Sequence, residues 1–212
     1  MMKLFKFISA GALMLGAVTF TNAQDNASNM NSMAVSFGVK GGVNFATITG
    51  DDFDSPDSRT SFHVGALAEF PVAEIFSVQV EALYSGQGFE SDIDGDLFGG
   101  DGKIEYQLDY INVPVLAKFY LIEGLSIEAG PQFSFKVNEE IDINPNGDDG
   151  DFPLDDTDYE AKDFEFGIAA GLTFQTDMGL FATGRYNLGV TDIIEDSDAR
   201  NSVFQIGIGY KF

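Results

Sequence analysis

The sequence contains no cysteine and only one histidine, His63. Without cysteine there can be no disulfide, thiol nucleophile or Cys-ligated metal, and a single histidine excludes a His-rich metal site. Lysine and arginine together number 11, against 34 aspartates and glutamates, and the formal net charge is −23. A chain with so little positive charge lacks the basic surface that nucleic-acid binding requires. Nucleic acid is therefore not an expected partner.

The sequence also lacks an apolar run of the ~20 residues that a transmembrane helix needs. Its most apolar stretch, residues 7–20, follows two lysines and precedes small residues in MMKLFKFISAGALMLGAVTFTNAQ. Positive charge, an apolar stretch and an A-x-A-like site are typical, in this order, of a secretory signal peptide. We predict cleavage after Ala23, so that residues 1–23 are a signal peptide, 24–33 a polar leader and 34–212 the folded domain. A mature chain in a membrane would have to cross it as strands.

What the sequence does contain is an alternation of apolar and polar residues that recurs to its end. In the closing FQIGIGYKF, every second residue from Phe204 to Phe212 is apolar, with glutamine, glycine and lysine between them. We count eight such segments, each about ten residues or slightly longer. No helical pattern occurs outside the N-terminal leader. The pattern predicts an all-β fold.

The connections between these segments alternate between short and long. An antiparallel arrangement then places the short turns and both termini at one end of the strands, and the long polar connections at the other end. This is the design of outer-membrane barrels, so we predict an eight-stranded antiparallel up-and-down transmembrane β-barrel with periplasmic termini and extracellular loops. The short connections are residues 71–75, 122–124 and 176–179, and the long ones are residues 46–60, 90–104, 138–162 and 191–201.

The volume of the side chains indicates which way the apolar rows face. Most of the aromatic residues lie on the apolar rows, whereas the opposite rows are rich in glycine, serine, asparagine and glutamine. An eight-stranded barrel has an interior only just wide enough for side chains to fill, and that many rings would overfill it. The apolar rows are therefore predicted to face lipid. A soluble periplasmic ligand-binding barrel, with these rows turned inward, is an alternative.

The polar rows carry five basic and four acidic side chains, although acids outnumber bases about threefold in the whole chain. Near balance is what a closed interior requires, because an unpaired buried charge costs several kcal/mol. A solvated outer face is the other interpretation of the same rows. We predict an interior charge network that consists of Lys40, Glu69, Glu81, Lys118, Glu128, Lys136, Glu165, Arg185 and Lys211.

His63 is the one candidate for a catalytic base, and it lies two residues from Ser61 on the predicted interior face. A base needs its nucleophile within hydrogen-bond reach, whereas residues i and i+2 of a strand are ~7 Å apart. We therefore predict no catalytic residue and no enzymatic activity. A lipid-modifying outer-membrane enzyme centred on His63 is the alternative.

The acidic loops are candidates for calcium binding. In SDIDGD, Asp92, Asp94 and Asp96 occupy alternate positions, and calcium prefers clustered carboxylate oxygens. The pattern departs from an EF-hand, since Gly95 is at the fourth position and Lys103 at the twelfth. We predict at most loosely bound Ca²⁺ at these loops and no other cofactor. A solvated acidic loop is the simpler interpretation.

Four segments, FGVKGGVNFATITGDD, YINVPVLAKFYL, EAGPQFSF and the closing IGIGYKF, resemble the PorT-like outer-membrane β-barrel family over roughly residues 34–212. The resemblance implies that Phe212 is an assembly signal for the barrel-assembly machinery, and that the protein acts in secretion or envelope integrity. The outward apolar rows and the acidic loops predict contact with outer-membrane lipid and lipopolysaccharide.

Taken together, these features predict a structural or surface-interaction protein that presents acidic loops on a lipid-embedded barrel. We expect a monomer with an unidentified surface or secretion partner. Eight strands leave too little lumen for a wide diffusion channel.

Overall fold

The alternating segments form strands throughout the part of the chain that the computed structural model describes, which is residues 34–50, 57–93, 102–144, 151–153, 161–193 and 198–212. The predicted signal peptide and polar leader lie outside these residues. The described residues contain no helix with the length and hydrophobicity that a membrane-spanning helix needs.

Eight of the nine strands pair with their neighbours in an antiparallel ring. Their order is β4-β3-β2-β1-β9-β8-β7-β5, and pairing between β4 and β5 closes the ring, while the short β6 pairs only with β5. The predicted eight-stranded antiparallel barrel is thus confirmed. The strands are β1 Ser36–Thr49, β2 Asp57–Ala73, β3 Phe76–Ile93, β4 Gly102–Ile122, β5 Leu125–Asn144, β6 Asp151–Pro153, β7 Phe164–Gln175, β8 Leu180–Gly189 and β9 Arg200–Lys211.

Tight turns join β2 to β3, β4 to β5, and β7 to β8 at one rim, which we call the short-turn rim. The start of β1 and the end of β9 lie at the same rim, and the longer connections lie at the opposite, long-loop rim. Two of the turns need a glycine, because Gly124 and Gly179 have φ angles of 80° and 87°. Such positive φ angles place a Cβ in a strained position, so glycine is preferred there.

Several strands are longer than the sequence pattern predicts. β3, β4 and β5 contain 18, 21 and 20 residues, whereas β7 and β8 contain 12 and 10. The prediction that residues 90–104 and 138–162 are entirely connection was therefore wrong, since pairing continues to Lys103 opposite Asn144. Polar residues can extend a strand because the ladder satisfies backbone N–H and C=O groups whatever the side chain.

The apolar rows face outward. Ile168 and Ile206 are 51% and 52% exposed, whereas Lys118 and Arg185 are each 1% exposed. Exposed large apolar side chains occur on β1, β2, β4, β5, β7, β8 and β9. Because a soluble barrel would have to bury these rows, this arrangement contradicts the periplasmic ligand-binding alternative.

Along β4 the two alternating rows exchange polarity. Towards the short-turn rim the more exposed row is apolar and the buried row contains Asn112 and Lys118. Towards the long-loop rim the buried row is apolar, with Tyr106, Leu108 and Tyr110, and the more exposed row is polar. A barrel surface turns from apolar to polar where it leaves lipid for water. The exchange therefore places the part of β4 near the long-loop rim outside the hydrocarbon.

Candidate functional site

Arg185 is the centre of a buried ion cluster in the middle of the barrel. Its Nη1 and Nη2 donate to the two carboxylate oxygens of Glu81 at 2.7 and 2.8 Å, which is the strong bidentate geometry. Its Nε donates to Glu128 Oε1 at 2.9 Å, and Lys40 Nζ donates to Glu81 Oε2 at 3.2 Å. These side chains come from β8, β3, β5 and β1, and two cations face two carboxylates. We call them the central cluster.

A second cluster surrounds Glu69 nearer the short-turn rim. Lys118 Nζ donates to Glu69 Oε2 at 3.1 Å, and Lys211 Nζ donates to the same oxygen. The other oxygen, Oε1, accepts from Ser77 Oγ at 2.8 Å and from the Tyr120 hydroxyl. We call Glu69, Lys118 and Lys211 the rim cluster.

Gln79 joins the two clusters. Its amide oxygen accepts from Lys118 Nζ at 3.1 Å, and its amide nitrogen donates to Glu81 Oε1 at 2.5 Å. The resulting network connects side chains from seven strands across the interior. Seven of the nine predicted network residues belong to it, namely Lys40, Glu69, Glu81, Lys118, Glu128, Arg185 and Lys211.

The other two predicted network residues lie apart from it. Glu165 is 4% exposed and accepts a hydrogen bond from Asn201 Nδ2 at 2.7 Å. No lysine or arginine of the described ranges lies within ion-pair distance of it. Lys136 is near the long-loop rim, where it donates to Glu139 Oε2 at 2.5 Å and to the carbonyl of Ala161. The interior therefore holds one buried carboxylate without a cation.

Replacing Glu165 with glutamine should leave the free energy of unfolding unchanged or raise it. The amide oxygen can still accept from Asn201, and an uncompensated buried charge is removed. In contrast, Glu81→Gln should lower the free energy of unfolding by about 3–5 kcal/mol, since it removes the carboxylate that pairs with Lys40 and one of the two that pair with Arg185. Urea titration in detergent micelles, followed by gel mobility, measures both. Equal losses in the two variants would contradict this assignment.

An apolar cluster packs between the charge network and the long-loop rim. It is built from residues of β1, β4 and the segments next to β7 and β9. Sequence reasoning missed it, because part of it lies in stretches assigned to connections, although the alternation in EYQLDY was the available signal. The members are Ile48, Tyr106, Leu108, Tyr110, Ala161, Ile193 and Ala199, with Phe89 and Ile141 packed against them.

His63 is buried and hydrogen-bonded to Asn44. Its ring is 1% exposed, and Nδ1 lies 2.7 Å from Asn44 Oδ1, which also accepts from Gln205 Nε2 at 3.0 Å. The described residues provide Nε2 with no partner. Ser61 packs instead against Gly86, where a Cβ would lie 2.0 Å from the Ser61 hydroxyl oxygen. No hydroxyl group of the described residues is hydrogen-bonded to the imidazole.

The remaining predicted sites lie at the ends of strands. Asp92 is near the end of β3, opposite Lys103 in the register, while Asp94 and Asp96 lie outside the described residues. In the part of the chain that is described, no three His, Asp or Glu side chains are grouped to hold a metal ion. Phe212 follows β9, and its backbone N–H donates to the Phe37 carbonyl at 2.9 Å.

A closed antiparallel barrel with outward apolar rows and ion pairs inside defines an integral β-barrel protein of the outer membrane. The sequence agrees with this class. Residues 22–195 match the family model described as the outer membrane protein beta-barrel domain, and the chain belongs to that family.

Solved structures share the fold at low sequence identity. Neisserial surface protein A is similar with a TM-score of 0.55 and 12% identity, over 84% of this chain and 99% of that one. Ail, the attachment invasion locus protein of Yersinia pestis, is similar with a TM-score of 0.50 and 13% identity, over 85% of this chain and 100% of that one. No curated protein matches the sequence. At such identities the likeness concerns the fold alone.

Proposed function

We propose that this protein is a non-enzymatic outer-membrane scaffold that presents its acidic loops at the cell surface. The observation that carries the proposal is the filled interior, in which an ion-paired network lies below a packed apolar cluster. A barrel whose interior is occupied by its own side chains is suited to rigidity rather than to transport or catalysis. The buried His63, bonded to Asn44, agrees with a role without catalysis.

The lengths of the strands support presentation of the loops. A tilted strand needs about 9–11 residues to cross the bilayer. β3, β4 and β5 have 18, 21 and 20 residues, so each continues well beyond the hydrocarbon at the long-loop rim. We place this rim outside the cell and the termini in the periplasm. The connections there contain SDIDGD and NPNGDDGDFPLDDTDYE, which would bind Ca²⁺ loosely beside anionic lipopolysaccharide.

The resemblance to the PorT-like family extends the proposal to a role in secretion or envelope integrity, with an unidentified partner at the loops. In this proposal the barrel-assembly machinery reads Phe212 as the last residue of β9's row of apolar side chains. The barrel acts as a monomer in lipid, because its closed ring leaves no strand edge for another copy to pair with.

Single-cysteine labelling tests the orientation, since the chain has no cysteine of its own. Asp198→Cys, at an exposed residue of the long-loop rim, should react with a membrane-impermeant maleimide on intact cells. Glu123→Cys, at an exposed residue of a short turn, should react only after lysis. The reverse pattern would refute surface presentation.

A further inference from the structure

Two ammonium groups of the rim cluster share one carboxylate oxygen. Lys118 Nζ and Lys211 Nζ both donate to Glu69 Oε2. Each also donates to one glutamine oxygen, Lys118 to Gln79 at 3.1 Å and Lys211 to Gln175 at 2.8 Å. An ammonium group has three donors, so among the described residues one N–H of each lysine has no oxygen acceptor. Each Nζ also lies over an aromatic ring, Lys118 at 5.8 Å from the Tyr120 centroid and Lys211 at 5.5 Å from the Phe181 centroid.

Glu69 cannot balance both lysines. Its single negative charge faces two positive charges, and its other oxygen already accepts from Ser77 and Tyr120. The exposed acids of the short turns, Glu74, Glu123 and Asp177, form no ion pair with either lysine. The rim cluster therefore carries one positive charge in excess.

The neighbouring central cluster does not supply the missing negative charge. There Lys40 and Arg185 face Glu81 and Glu128, so its two cations and two carboxylates balance each other. In the part of the chain that the structure describes, the neutral side chain of Gln79 bridges the two clusters, and no ion pair joins them. The excess charge is thus confined to Lys118 and Lys211.

We propose that a small inorganic anion from solution, such as chloride, binds between the ammonium groups of Lys118 and Lys211. It would accept the two remaining N–H donors and neutralise the excess charge, which is the requirement for a buried cation pair. The anion would enter at the short-turn rim, where Tyr120 and Gln175 are only partly buried. A bulky anion such as gluconate is expected to be excluded, because Lys118, Glu69 and Lys211 are 1%, 4% and 7% exposed.

Unfolding at constant ionic strength tests the proposal, with chloride exchanged for gluconate. The full chain, purified in zwitterionic detergent, is heated, and the loss of the folded gel band gives the unfolding rate. If chloride must dissociate before the protein can unfold, chloride at about ten times its dissociation constant should slow unfolding by about tenfold. Lys211→Gln and Lys118→Gln should each abolish the chloride effect, since each leaves one ammonium per carboxylate.

Lys162→Gln is the matched control, because Lys162 is an exposed residue that precedes β7. This variant should keep the full chloride effect. No chloride effect in the parent protein would overturn the proposal, as would an effect that persists in both glutamine variants. If the variants fail to fold, anomalous diffraction from bromide-soaked crystals of the parent protein tests the site instead. An anomalous peak between the two Nζ atoms supports the site, and its absence refutes it.

Discussion

Replacing Arg185 with methionine is expected to lower the free energy of unfolding by about 3–5 kcal/mol, because it leaves two buried carboxylates without their main counter-charge. Arg185 donates to both oxygens of Glu81 and to Glu128, and all three side chains are buried. Urea titration of the purified barrel in detergent micelles, followed by gel mobility, measures the loss. Methionine is chosen since it retains most of the side-chain length.

Removing the carboxylates as well should recover much of this loss. In the combined variant Arg185→Met, Glu81→Gln, Glu128→Gln, no charge of the Arg185 pairs remains, although Lys40 loses its partner. The exposed Lys162→Met serves as the control and should change stability by no more than about 0.5 kcal/mol. A triple variant as unstable as Arg185→Met alone would show that packing, rather than charge pairing, dominates at this position.

An arginine on the lipid face should be nearly as damaging. Ile206 is 52% exposed in the middle of β9, where it pairs with Val43 of β1. Ile206→Arg is expected to lower the free energy of unfolding by about 2–4 kcal/mol, the cost of arginine at the bilayer midplane of a barrel. Reversible urea unfolding in lipid vesicles, followed by far-UV circular dichroism, is the appropriate measurement, because detergent alone does not impose the bilayer depth.

The matched position is Ile75, an equally apolar residue in the turn between β2 and β3 that is 65% exposed. Ile75→Arg should cost about 0–1 kcal/mol, since arginine near the interface reaches water and headgroups. If both variants lost the same stability, the apolar rows would not lie across the hydrocarbon as the barrel geometry requires.

The apolar outer rows and the number of strands were accessible from sequence because they depend on local backbone geometry. Successive strand residues point to opposite faces, so the alternation in FQIGIGYKF is enough to separate Ile206 and Ile208 from Gln205 and Lys211. Volume then decides which face is inside, because an eight-stranded barrel cannot hold the aromatic rings. The same period of two puts Lys118 and Arg185 on buried rows.

The lengths of β3, β4 and β5 were not accessible in the same way. In β4 the two rows exchange polarity towards the long-loop rim, so polar residues such as Glu105 resemble a connection when only the pattern is examined. Pairing with a neighbouring strand, such as Tyr106 opposite Ile141, is what keeps them extended. The apolar cluster around Leu108 and Tyr110 follows from that extension.

The chain's own sequence thus determined strands of period two, lipid-facing apolar rows and a set of charged side chains on the opposite rows. Only the tertiary structure decided which charges meet, since Arg185 and Glu81 are 104 residues apart and are joined by the register of the closed ring. Register and closure depend on all eight pairings at once, and no local pattern encodes them. For this reason the isolated Glu165 and the two lysines that share Glu69 are properties of the fold.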